Sequence, residues 1–175
     1  MRRCGSPGRS RTGISEGRTA YCVAIEGGPG SLAKAKSIVE PARELEIAAA
    51  RAGARVLLVE RYGFLGGLAT AGLVAPILGH VASGSTTPIV EGLLKEMTER
   101  MHELDGAPAW TEASGEWGIR FDAEAFKRVA DQMCEEAGVR LMLHSVAAGA
   151  VVEDGRIRAL VVESKSGRQA VTGST

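Results

Sequence analysis

ARELEIAAARAGA followed by RVLLVE, Ala42 to Glu60, is the stretch that decides the fold of this chain. The first part is built of good helix formers, and Gly53 stands where a helix C-cap glycine belongs. Arg55 to Glu60 is a continuous apolar run ending in an acid. Such runs are strands buried on both faces, as in a parallel sheet. Helix, glycine, strand and terminal acid make the second half of a dinucleotide-binding βαβ unit. An acid at that strand end is placed to accept hydrogen bonds from ribose hydroxyls. Its charge also disfavours a 2′-phosphate, so FAD or NAD would be preferred to NADP. From the residues alone, Glu60 is either that acceptor or a solvated strand-end charge.

The first half of the unit requires a preceding strand and a G-x-G-x-x-G/A turn, whose backbone N–H groups approach a pyrophosphate at a helix N-terminus. One stretch matches formally: YCVAI (Tyr21 to Ile25), then Gly28-Pro29-Gly30-Ser31-Leu32-Ala33. Gly28 precedes Glu60 by 32 residues, where the fingerprint wants ~20. Pro41 falls inside the helix that would have to bridge them, and proline interrupts helices. A flexible turn is the better reading of this glycine run.

Towards the C-terminus, YGFLGGLATAG (Tyr62 to Gly72) is a glycine-rich loop and the segment after it is irregular. Ile89 to Leu104 carries apolar residues at helical spacing. A loop with Trp110 and Trp117 follows. Asp122 then reads as the N-cap of a helix that Gly138 ends. VRLML (Val139 to Leu143) is a short buried strand. Ala147–Glu153 and Ile157–Glu163 flank Asp154-Gly155, a two-residue hairpin signal. The chain stops at Thr175 within what should be another strand. The expected fold is α/β: a partial Rossmann-like FAD/NAD(P)-binding domain with a small β-hairpin layer. Residues 1–37 are expected to be a disordered or irregular segment, and 38–175 the partial binding domain.

Composition narrows the function classes. With 175 residues the chain has room for one ordinary domain. Acidic and basic residues are equal in number, which gives no bulk attraction to nucleic acid or anionic membrane. Neither is expected as a partner. Cys4, Cys22 and Cys134 form no CxxC pair, and His80, His102 and His144 share no metal-ligand spacing, so no metal site is indicated. The five arginines of residues 1–20 are followed by no apolar h-region, and no stretch approaches the ~20 apolar residues of a membrane span. The expected address is the cytoplasm.

From Glu60 onwards ERYGFLGGLATAGLVAPILGH resembles the FAD-dependent oxidoreductases, glutathione-reductase-like flavoproteins with an "ERYGFLGG-AT-GLV-P" stretch after the second strand. The likeness continues through RFDAEAFKRVADQMCEEAGVRLMLHSVAAGAVVEDGRIRALVVESKSGRQA and covers about residues 42–171. It implies FAD as cofactor, with Glu60 on the adenosine ribose. Arg61 and the Gly66-Gly67 turn, with Ala69 and Thr70, would pass close to the cofactor. The backbone at Val146-Ala147 would complete the adenine pocket. Two departures stand out. Ile38–Leu45 resembles the family's leader, yet Ile47–Ala54 follows almost at once, as though the first strand and phosphate loop had been lost between Leu45 and Ile47. The family's closing "ATGDGD"-like motif, substrate domain and acid–base residues are also missing.

The resemblance therefore implies a flavoprotein oxidoreductase fragment, inactive alone and doubtful in holding FAD, with a small-molecule substrate. A non-catalytic fragment and an adenine-nucleotide module without redox chemistry are the alternatives. Loss of the first strand would leave one edge of RVLLVE open to self-association.

Overall fold

The computed structural model describes residues 20–24, 42–82, 84–113, 118–154 and 156–172. Strand β1 (Ala20–Ala24) lies within the segment expected to be irregular. Helix α1 (Ala42–Arg51) and strand β2 (Val56–Glu60) follow. Gly53, at φ +90°, closes the helix as a glycine can. A single 3-10 turn (Gly67–Ala69) precedes the two-residue strand β3 (Ile77–Leu78). The helix expected over 89–104 is shorter: α2 spans Leu93–His102, after Gly92 with φ +66°. Trp110 opens the one-turn helix α3 (Trp110–Ala113), and β4 (Gly118–Ile119) pairs with β3. Trp117 lies outside the described residues.

Helix α4 (Ala123–Ala137) bears out its sequence signals at both ends. The Asp122 carboxylate accepts from the amides of Glu124 and Ala125 at 2.9 and 2.8 Å. Gly138 ends the helix in the left-handed conformation. Strands β5 (Arg140–Met142), β6 (Val146–Glu153), β7 (Arg156–Ser164) and β8 (Gly167–Thr172) complete the chain. β6, β7 and β8 form an antiparallel meander, and the first hairpin closes with Glu153 paired to Arg156, across the stretch where the sequence signalled a turn; Gly155 itself lies outside the described residues.

The main sheet has the order β1-β2-β5. All five residues of β2 are buried, and alternation divides them between two layers. Val56 and Leu58 join a core with Ile47 of α1, Met97 and Met101 of α2, and Phe126, Val129 and Met133 of α4. Leu57 and Val59 pack against Val162 of the meander, with Met142, Leu160 and Val171 around them. The architecture is thus a partial Rossmann-like α/β fold, with helices on one face of a small sheet and a β-meander on the other. No described helix is long and apolar enough to cross a membrane.

RVLLVE was expected to be a central parallel strand with helix 42–52 on one face. It is central, but parallel only to β5, and it runs antiparallel to β1. Ala20–Ala24, which takes in Tyr21 to Ala24 of YCVAI, occupies the strand position that looked lost, in the reverse direction. The β2 edge expected to lie open is consequently paired along its length, from Ala20 opposite Glu60 to Ala24 opposite Val56. An apolar run carries no record of strand direction, so the sequence pattern could not foresee the inversion.

Candidate functional site

The candidate site lies where β2 and β5 end together. In open α/β sheets ligands bind beyond the carboxyl ends of the strands. There the backbone after β5 folds back along the backbone after β2. The Ser145 amide donates to the Glu60 carbonyl at 2.9 Å, and the His144 amide donates to the Tyr62 carbonyl at 3.0 Å. These two bonds set the start of β6, Val146 and Ala147, beside Glu60 and Arg61. Val146 is exposed and Ala147 buried.

Glu60 sits at the strand end, as the ribose role requires, and reaches back over the following loop: its Oε1 accepts from the Tyr62 amide at 2.9 Å. Its side chain is completely buried, so a ribose would meet it only after whatever covers the carboxylate moves aside. Arg61 next to it is exposed. Gly63 allows a close approach: a Cβ there would lie 2.6 Å from Cε1 and Nε2 of His144.

The Gly66-Gly67 turn forms a tight knot. Gly66 has φ +128°, and a Cβ on it would fall 1.7 Å from Oγ1 of Thr70. The Thr70 hydroxyl is buried and donates to the Leu65 carbonyl at 2.8 Å. Ala69 packs against the helical core. In the described structure Thr70 and Ala69 thus hold the loop in shape. The sequence reading missed this internal use of Thr70, which depends on the close packing of its side chain against Gly66 and which no local pattern announces. It also missed His144, held by Gly63, and the cleft beside it. Among the described residues no group of three or more His, Cys, Asp or Glu side chains is placed to hold a metal ion.

The model of the FAD dependent oxidoreductase family matches residues 47–175, about three-quarters of the chain. The chain belongs to that family. The match starts at Ile47, directly after the point where the first strand and phosphate loop were expected to be missing. No curated protein and no solved structure matches the chain.

Family membership implies FAD, and the described residues fit it in one half only. For the adenosine half, Glu60, Arg61 and the Val146-Ala147 backbone converge on one strand end. For the diphosphate half, the strand beside β2 runs the wrong way. β1 ends with Ala24 opposite Val56, at the far end of β2 from Glu60. Gly28-Pro29-Gly30 lies outside the described residues.

Proposed function

We propose that this chain is the nucleotide-binding portion of a flavoprotein oxidoreductase of the glutathione-reductase-like type, with the ERYGFLGG stretch (Glu60–Gly67) as its signature. Glu60 accepts hydrogen bonds from the adenosine ribose, Arg61 and the Gly66–Thr70 loop border the cofactor, and the Val146-Ala147 backbone faces the adenine. FAD supplies the redox chemistry by carrying a hydride or electrons, and the protein supplies position and electrostatics. The observation that carries this reading is Glu60 at the carboxyl end of β2, joined to the start of β6 through the Ser145 amide.

A second reading, that the chain as written holds FAD weakly or not at all, is favoured by the inverted β1. Hydrogen bonds to a charged diphosphate are worth ~1.5–3 kcal/mol each, and each ~1.4 kcal/mol is tenfold in affinity. Without two or three of them the cofactor loses several orders of magnitude in affinity. Titrating FAD against the purified protein by flavin fluorescence separates the readings. The expected result is binding weaker than micromolar, unchanged by Gly28→Val with Gly30→Val. Micromolar or tighter binding that this double variant abolishes would restore the glycine run as the phosphate loop.

A further inference from the structure

Beside the strand ends, between the backbone after β5 and the β7–β8 turn, lies a cleft of about 340 Å³. Its floor is apolar: Met142, Leu143 and Val162. Its walls carry His144 and Ser145 on one side and Ser164, Lys165, Ser166 and Gln169 on the other. None of Glu60, Arg61, Gly66, Gly67, Ala69 or Thr70 lines it. We propose that this cleft is a second binding site, for a phosphate monoester carrying a flat ring, separate from the residues assigned to the FAD ribose.

The sign of the charge decides the ligand class. Among the described residues no carboxylate lines the cleft, while an ammonium, an imidazole, three hydroxyls and an amide do. The nearby acid is turned away by strand alternation: Val162 and Ser164 face the cleft and Glu163 faces outward, where Arg168 binds it. Lys165, in contrast, brings three N–H donors and no acceptor. It sits in a two-residue turn that is fixed on either side. The Ser166 amide donates to the Ser164 hydroxyl at 3.2 Å, and Gly167 takes φ +98°.

The opposite wall is equally fixed. His144 holds φ +52°, its amide bonded to Tyr62 and its ring against Gly63. Ser145 uses its hydroxyl on the Leu143 carbonyl, which leaves Lys165, Ser166, His144 and Gln169 as the groups a ligand would meet. The volume lies at the small end of ligand pockets, ~300–1,000 Å³. That suits a single ring on Met142 and Val162 with its phosphate at Lys165 and Ser166.

The test is a titration of the full chain with inorganic phosphate and with phenyl phosphate, followed by amide shifts in ¹H–¹⁵N NMR spectra. The expected result is shifts at His144 and at Ser164–Gly167, with phenyl phosphate binding more tightly than inorganic phosphate. Lys165→Ala, at an exposed turn, should weaken binding roughly tenfold, and Arg168→Ala on the outer face should leave it unchanged. Equal binding by wild type and Lys165→Ala overturns the proposal, and equal affinities for the two phosphates overturn the role of the apolar floor. FAD added as competitor keeps this site distinct from the FAD reading. If FAD displaces phenyl phosphate, the cleft is part of the FAD site and the second site is refuted. If FAD fails to bind anywhere, phosphate binding in the cleft still stands.

Discussion

On one flank of β2, Leu57, Leu58 and Val59 meet Arg140, Leu141 and Met142 in parallel; on the other, all five residues from Val56 to Glu60 meet Ala24 back to Ala20 in antiparallel. Both flanks satisfy the backbone groups of a buried strand, and unpaired they would be costly. Yet the two pairings do different things for function. The parallel partner ends where β2 ends, so the loop after it arrives at Glu60 and bonds to Glu60 and Tyr62. The antiparallel partner ends with Ala24 opposite Val56, at the other end of β2 from Glu60. A ladder of hydrogen bonds is indifferent to direction, whereas a ligand site depends on it.

The harshest way to break the comparison is to remove what both flanks share. Leu58 is 1% exposed and projects from β2 into the helical core. Leu58→Ala should cost about 2–5 kcal/mol, the lost transfer energy plus the cavity left behind. Urea unfolding followed by circular dichroism measures it. A loss under about 1 kcal/mol would mean that β2 is not the centre of this fold, and both flanks would lose their significance together.

That centrality was legible in the sequence because it rests on side-chain pattern. A four-residue apolar run (Val56–Val59) ending in an acid, a helix with Gly53 after it, an Asp122 N-cap and a Gly138 C-cap each express a local physical rule, and the structure follows all four. The place of Glu60 at the end of β2 was legible for the same reason, since it is set by strand length alone. The position of His144 and Ser145 was not, because it depends on backbone hydrogen bonds between segments more than eighty residues apart. Nor was the direction of β1. The residues of YCVAI fit a strand either way, and what aligned it is the vacant edge of β2, a tertiary fact. The Lys165 cleft escaped notice because its walls come from two elements whose contact no local pattern announces.

A milder intervention acts on the antiparallel flank alone. Of any two consecutive residues in an edge strand, one directs its N–H towards the neighbouring strand, and proline has none. Tyr21→Pro combined with Cys22→Pro therefore removes a bond to β2 whichever residue makes it. The expected loss is about 1–3 kcal/mol, from one buried carbonyl left without its donor. Light scattering should then show self-association, because the uncovered edge of β2 is a template for another strand. Unchanged stability with no association would show that β1 contributes nothing to the sheet, and the inversion would lose its bearing on FAD binding.

The smallest expected effect lies in the helix layer that spans both flanks, where α1 touches β1 as well as β2. Its C-terminal Arg51 grips Glu96 of α2 through two bonds of 2.6 and 2.8 Å. Glu96 also receives Arg100 at 2.8 Å, and Arg100 in turn binds Glu136 of α4. The hydrogen bond from Arg51 is the main reason that the Glu96 carboxyl titrates below its ordinary range, against an opposing push from partial burial. A carboxylate whose folded pKa is depressed stabilises the fold above its unfolded pKa, about 4.3, and that contribution disappears as the pH falls through the lower folded value. Glu96→Gln should therefore cost about 0.2–1 kcal/mol near neutral pH, the range of partly exposed ion pairs. The difference from wild type should narrow below pH ~4 and in high salt, where such pairs are screened. Thermal melts of both proteins across pH and salt give the answer. A difference that persists unchanged in acid would mean that Glu96 acts through packing, and that α1 is held over β1 and β2 by its apolar face alone.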